Sequence, residues 1–447
     1  MMSEIKTFSM TDWLARGAFE CTCGKIHESG TKKVVIEKNA VAKLPALLAE
    51  IGGRKPFLLS GHDTFAAAGE KVCAVLDAAG ISYGKYVFSH SPVLPTEHSV
   101  GSAVMNFDYS CDCIVGIGSG VINDIGKILA KATGRPYLIV GTAPSMDGYA
   151  SPTSSMELDG RKVSLDSTFA YAIIGDLDIL CKAPMKMLQA GVGDMIAKYI
   201  ALCEWRIGEL LVDEYRCPVV DGMVETALER VVEAAAGLLK RDENAVKAVM
   251  EGMVITGIAM KYAGVSRPAS GMEHYFSHIW DMRALALGTQ SDLHGIQCGI
   301  GTLLSLKIYD YIRTIVPNRE KALSYVANFD LNAWNEQLSA FIGPGAQAVI
   351  EDERKAGKYN REKHAARLER ILANWDEIME IVNCLPRYDE VLALMNLIGA
   401  PISAESFDVT PEQVRKTFTM TKDIRDKYIA SRLLWDLGLL EDAAQLL

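Results

Sequence analysis

Asp194, His274 and His294 offer one carboxylate and two imidazoles on three separate helical stretches. This donor set suits a divalent cation with a coordination position left open for substrate. His278 follows His274 by one helical turn, so both rings share a face. Upstream, Gly116-Ile117-Gly118-Ser119-Gly120 follows an apolar run and opens an amphipathic stretch, where backbone amides at a helix N-terminus approach a pyrophosphate. A lone histidine on an apolar helix is more often a core residue. Three metal donors beside a nucleotide turn instead describe a metal-dependent dehydrogenase, with hydride chemistry in one half and a Lewis acid in the other.

Such residues need a scaffold, and the chain spells one out. Short apolar runs at Val34–Ile36, Phe57–Leu59, Tyr86–Phe88, Cys113–Val115, Tyr137–Val140 and Ala172–Ile174 read as strands. Amphipathic stretches at 40–51, 64–79, 97–107 and 121–133 read as the helices between them, the rhythm of a parallel sheet. Residues 151–167 interrupt it with a β-hairpin turning at Asp159-Gly160. After Pro184 only helical periods continue. The expected fold is an α/β N-terminal domain with a parallel Rossmann-like sheet, residues 1–182, followed by an all-α metal-binding and substrate domain, residues 183–447. In the second half Ser270-Gly271-Met272-Glu273 reads as a capping box opening the His274 helix. Asp194 is expected at the head of one helix and His294 at the head of another. Residues 331–363 read as a polar surface excursion, and Thr410-Pro411-Glu412 as a capped helix start.

The 447 residues are 49% hydrophobic and 23% charged, as in folded globular chains of two or three domains. A net charge of −10 argues against a nucleic-acid backbone binder. No apolar run is long enough to span a membrane, and the mixed first 24 residues predict neither signal peptide nor anchor. Ten scattered cysteines read as reduced thiols, which places the chain in the cytoplasm. Cys111 and Cys113 read as packing. Cys21, Cys23 and His27 supply three of the four ligands of a structural zinc site, with no fourth evident. His90, His98 and His364 read as structural or surface residues.

The loop from Gly141 to Gly148 ends a strand at the sheet edge where α/β folds collect ligands, and its hydroxyls suit a cofactor. Asp63 stands just after a strand, where it can accept from ribose hydroxyls and would repel a 2′-phosphate, favouring NAD over NADP.

Four segments together carry a resemblance: Gly118-Ser-Gly-Val-Ile-Asn-Asp-Ile-Gly-Lys127, Thr142-Ala-Pro-Ser-Met-Asp-Gly148, Gly191-Val-Gly-Asp194, and Ser266-Arg-Pro-Ala-Ser-Gly-Met-Glu-His-Tyr-Phe-Ser-His278. They resemble the sn-glycerol-1-phosphate dehydrogenases, most closely the bacterial branch. The wider superfamily holds glycerol dehydrogenases, iron-containing alcohol dehydrogenases and dehydroquinate synthases. The resemblance runs from about Cys21 to Ile315, with a looser echo over 410–435. It implies that Asp194, His274 and His294 bind the metal and that Asp147 and His278 meet the substrate. It also implies cofactor contacts from Gly118, Ser119, Gly120, Val121, Ile122, Thr142, Ala143, Pro144, Ser145 and Ser151. Two features depart from the pattern: Ser119 replaces a usual glycine, and the interval from His274 to His294 is long.

The implied reaction interconverts dihydroxyacetone phosphate and glycerol 1-phosphate, with NAD or NADP and one divalent ion, zinc, nickel or iron. His278 is the expected proton relay. Arg267 and the helix start at Ser270 and Gly271 are the expected phosphate pocket, with Lys127 and Lys131 as alternatives. A homo-oligomer, a dimer above all, is expected, with a small phosphorylated triose as the only other partner. The runners-up are a dehydrogenase of glycerol or another unphosphorylated polyol, a dehydroquinate synthase-like cyclase, and a non-catalytic nucleotide or metal sensor.

Overall fold

The six apolar runs between Val34 and Ile174 become the strands of one sheet in a computed structural model, which describes residues 8–158 and 161–447. They are β3 (Lys33–Glu37), β4 (Pro56–Gly61), β5 (Gly84–Phe88), β6 (Cys113–Gly118), β7 (Tyr137–Gly141) and β10 (Ala172–Asp176). Their order is β3-β10-β7-β6-β4-β5, and every pairing is parallel. A sheet covered on both faces reads as unbroken apolar sequence rather than as alternation, which is why these runs stand out. Leu58, Val115, Ile117, Leu138, Val140 and Ile174 are buried in a core completed by Val41, Leu44, Leu48 and Leu76 from the crossover helices. Each such side chain contributes roughly 1.5–3 kcal/mol by leaving water.

Two antiparallel pairs accompany the sheet. β1 (Phe19–Glu20) and β2 (Ile26–His27) form a small hairpin that the periodicity does not reveal. β8 (Thr153–Leu158) pairs with β9 (Arg161–Asp166) as expected, and the expected turn at Asp159-Gly160 lies outside the described residues. The helices that bear on function are α1 (Gly120–Thr133), α2 (Met185–Ile196), α3 (Lys198–Val212), α4 (Pro218–Ala234), α5 (Glu243–Ala263), α6 (Met272–Leu287) and α7 (His294–Ile312).

By contact density the chain divides into two units, Met1–Met195 with Pro218–Val265, and Ile196–Cys217 with Ser266–Leu447. The change of pattern near Lys182 marks where strands cease, but α4 and α5 pack with each other and belong to the sheet's unit. Periodicity reports the type of element, not the company it keeps.

Among the described residues the second unit contains helices and no strand. The expected surface excursion at 331–363 is instead helical over Leu331–Ile342 and Ala346–Ala356. Its Trp334, Leu338, Ile342, Ala346 and Val349 form a core with Ile279 and Met420. The polar residues that suggested a loop are the outer face of these helices. The capped start at Thr410 is as expected: its hydroxyl accepts from the Gln413 N–H at 3.3 Å and Pro411 is the first helical residue. His364 is buried against the Asp436 carbonyl at 2.9 Å, while His90 and His98 are exposed. Cys111 and Cys113 are buried, and none of the ten cysteines, all among the described residues, is joined in a disulfide.

Candidate active site

From β4 the chain steps outward to β5, then returns to β6 and proceeds the other way through β7 to β10. The direction of winding therefore reverses between β4 and β6. Open α/β sheets take their ligands beyond the carboxyl ends of the strands at such a reversal. Two stretches leave the sheet there, Gly61-His62-Asp63 from β4, which holds the expected Asp63, and the expected turn Gly118-Ser119-Gly120 from β6.

Ser119 precedes α1, whose i→i−4 ladder begins with the Asn123 N–H on the Ser119 carbonyl at 2.9 Å. The amides of Gly120, Val121 and Ile122 are thus left for an anion, and no acidic side chain stands in the first turn of α1. The glycines divide their labour. A Cβ on Gly118 would lie 2.6 Å from the Cβ of Ile122, so that turn closes only without one. A Cβ on Gly116 would meet the Tyr137 hydroxyl at 2.3 Å, and one on Gly126 the same ring at 2.6 Å. Gly116, read as part of the nucleotide turn, makes room for Tyr137.

The loop after β7 is tied to this turn by the Thr142 N–H, which donates to the Gly118 carbonyl at 3.0 Å. Thr142, Ala143, Pro144, Ser145 and Ser151 are all buried. The Ala143 carbonyl accepts from the Tyr149 hydroxyl at 2.7 Å and from the Ser145 N–H at 3.0 Å. The Ser151 and Thr153 hydroxyls are 2.9 Å apart. Asp63 is exposed and held by the Ser91 hydroxyl at 2.5 Å. The Ser91 hydrogen bond, helped by His62, lowers the pKa of the Asp63 carboxyl.

Asp194 is fully buried and lies in the last turn of α2, not at the head of a helix. Its Oδ2 accepts from the Asp147 N–H at 3.0 Å, which joins α2 to the half-buried Asp147. Gly191 explains the approach: a Cβ there would stand 2.1 Å from the Pro144 carbonyl oxygen.

In the second unit α6 and α7 pack side by side and bring three rings together. The His274 and His294 centroids are 5.0 Å apart, and that of His278 is 6.3 Å from each. Nδ1 of His274 is 2.8 Å from Glu273 Oε1, and Nδ1 of His294 is 3.1 Å from the Ser277 hydroxyl. With Nδ1 engaged, Nε2 is the nitrogen each ring offers to an ion, the orientation that such outer partners impose at metal sites. Burial pushes the Glu273 carboxyl up to about 7, and the Gly271 N–H it accepts works against that. Sequence reasoning passed over Cys298, one turn beyond His294, whose Sγ is 3.5 Å from His294 Nε2. One donor atom each from His274, His294 and Cys298 lies within 4.8 Å of the others. The i, i+4 spacing of His294 and Cys298 was the available signal.

The expected phosphate pocket is already filled by the chain itself. Arg267 is fully buried, its Nε 3.0 Å from Glu214, its Nη2 on the carbonyls of Glu204 at 2.5 Å and Tyr428 at 2.7 Å, and its Nη1 3.8 Å from the Glu204 carboxylate. Gly271, not Ser270, caps α6, and no side-chain cap hydrogen bond is made there, so the expected capping box does not form. The Gly271 N–H goes to Glu273 at 2.6 Å and the Met272 N–H to Glu204 at 2.9 Å, while the Ser270 hydroxyl accepts from Lys427 at 3.0 Å. Both alternatives are also committed. Lys127 is buried on Asp124 at 2.9 Å and on the Thr153 carbonyl at 2.5 Å. Lys131 holds the Asp166 carbonyl at 2.7 Å. These three cations brace loops rather than present charge to a ligand.

Residues 35–184 match the family model described as iron-containing alcohol dehydrogenase. The chain is 33% identical over 298 residues to a glycerol-1-phosphate dehydrogenase [NAD(P)+] of Halalkalibacterium halodurans, covering 66% of this chain and 75% of that one. It is 27% identical over 424 residues to the protein of the same name from Bacillus licheniformis, covering 94% and 93%. Among solved structures, glycerol dehydrogenase of Schizosaccharomyces pombe superposes with a TM-score of 0.60 at 15% identity, covering 96% of this chain and 93% of that one. An NADH-dependent butanol dehydrogenase of Thermotoga maritima gives 0.57 at 14%, covering 94% and 98%.

The parallel sheet with its helical second part is thus the fold of the glycerol dehydrogenase and iron-containing alcohol dehydrogenase superfamily. Within it, the chain belongs to the glycerol-1-phosphate dehydrogenase family.

Proposed function

We propose that this chain is an NAD(P)-linked, metal-dependent oxidoreductase that interconverts dihydroxyacetone phosphate and glycerol 1-phosphate. The observation that carries the reading is the pair of His274 and His294, each oriented through Nδ1, in a chain one third identical to a glycerol-1-phosphate dehydrogenase. His274, His294 and Asp194 are assigned as ligands of one divalent ion; two imidazoles and a carboxylate suit zinc, nickel or iron. When bound, the ion polarises a carbonyl oxygen and the nicotinamide supplies hydride.

The remaining work falls to the chain. The amides of Gly120, Val121 and Ile122 would take the cofactor's diphosphate, and Thr142 to Ser145 with Ser151 would supply its further contacts. Asp63, held ionised, accepts from a ribose hydroxyl and disfavours a 2′-phosphate, so NADH is the better cofactor. His278 carries the proton to and from the substrate hydroxyl, and Asp147 orients that substrate.

The occupied states of Arg267, Lys127 and Lys131 favour a second reading, an unphosphorylated polyol as substrate, since the cations expected to bind phosphate are engaged elsewhere. Metal-replete protein and NADH separate the two. The first reading expects dihydroxyacetone phosphate to be reduced with a kcat/KM at least about a hundredfold above that for dihydroxyacetone, some 2.7 kcal/mol of phosphate recognition. Equal values would favour the polyol, and flat cofactor absorbance with both would reject the enzyme.

A further inference from the structure

The hairpin β1–β2 uses nine residues to present Cys21, Cys23 and His27 from one tight turn, Phe19–His27. The Cys21 N–H donates to the Lys25 carbonyl at 3.0 Å, and the Gly24 N–H to the Cys21 carbonyl at 2.9 Å. Gly24 has φ +84°, a left-handed backbone with open space around it, so conformation and not crowding demands a glycine there. His27 is fixed by aromatic packing, stacked on Tyr262 of α5 at 5.1 Å and edge-on to Phe19 at 5.5 Å. Its Nε2 lies 3.3 Å from Cys23 Sγ.

Three soft or borderline donors are one short of a closed zinc site, and the structure supplies the fourth. Cys217, bonded directly to Pro218 at the start of α4, brings its Sγ into the group. Donor atoms of Cys21, Cys23, His27 and Cys217 all lie within 4.8 Å of one another. A tetrahedral zinc with thiolate bonds of about 2.3 Å and a histidine bond of about 2.0 Å spaces its donors by roughly 3.5–3.8 Å, inside that limit. Cys21, His27 and Cys217 are buried and Cys23 half-buried, so no face is left for substrate.

We propose that Cys21, Cys23, His27 and Cys217 form a closed Cys3His site for a structural zinc ion, separate from the candidate active site. The donor set fits zinc through thiolate softness and tetrahedral count, and four protein ligands exclude catalysis at the ion. The ion would clip the N-terminal hairpin to the residue that enters α4. Binding releases the thiol protons to solvent and involves no redox change.

The test replaces zinc with cobalt(II) in the full-length protein and reads the thiolate-to-cobalt charge-transfer absorption together with metal content. Wild type should take up one tightly held equivalent beyond the active-site ion, with that absorption. Cys23→Ser and Cys217→Ser should each lose this equivalent and its absorption, and Cys298→Ser should keep both. A second measurement leaves all four ligands of the hairpin site intact: X-ray absorption at the zinc edge of His274→Ala, which retains only that site, should show three sulfur neighbours and one nitrogen. Cobalt bound without thiolate absorption, the absorption surviving in Cys217→Ser, or a disulfide among Cys21, Cys23 and Cys217 in reducing-buffer mass spectra would each overturn the site.

Discussion

At the scale of single residues, function turns on which charges are committed and which are available. Arg267 has the sequence position of a phosphate ligand and the surroundings of a brace. Glu204 takes up the Met272 and Ala430 amides, each at 2.9 Å, while burial pushes its carboxyl up and the Arg267 guanidinium pulls the other way. Arg267→Ala strands Glu204 in the interior and should cost about 3–5 kcal/mol, read as a fall in the urea midpoint at unchanged m-value. A variant of normal stability with a raised KM for phosphorylated substrate only would return Arg267 to the pocket. Asp63 gives the opposite case, a charge held in the open. Asp63→Ala should leave stability within about 0.5 kcal/mol of the parent and narrow the preference for NADH over NADPH, measured as the ratio of the two kcat/KM values. An unchanged ratio would remove Asp63 from the ribose.

At the scale of elements, close approach of backbones does what side chains alone do not. α2 reaches the loop after β7 because Gly191 has no Cβ, and that approach puts Asp194 under the Asp147 amide. Gly191→Ala must separate helix and loop, since the contact is a carbonyl oxygen that cannot rotate away. Overpacking of this kind costs about 1–3 kcal/mol, and cofactor affinity, read by NADH fluorescence titration, should fall with stability. Tight NADH binding in a destabilised Gly191→Ala protein would show that the loop does not depend on α2. The strands around this loop were legible in the sequence because burial on both faces erases polar alternation, and α1 because Gly-Ser-Gly marks its start. What a local pattern does not carry is partnership across the chain. Glu204 lies 63 positions from the Arg267 it surrounds, and Cys217 is remote from the hairpin it completes. The helices at 331–356 were hidden for another reason: their outer faces are polar enough to mask the Trp334, Leu338 and Ile342 stripe.

At the scale of the whole molecule, family membership and donor chemistry meet in one claim, that Asp194, His274 and His294 hold a single ion on which turnover depends. The fold alone does not decide it, because proteins 14–15% identical to this chain share the fold under several names. No helix among the described residues is long and apolar enough to cross a membrane. The decisive measurement is the metal content of Asp194→Asn, His274→Ala and His294→Ala beside the parent, each after brief chelation and reloading with one divalent metal. All three variants should lose the same exchangeable equivalent and about a thousandfold or more in kcat, a loss of some 4 kcal/mol, while thermal midpoints stay close to the parent's. Full metal content in any one of the three, with activity lost or kept, would contradict the assignment.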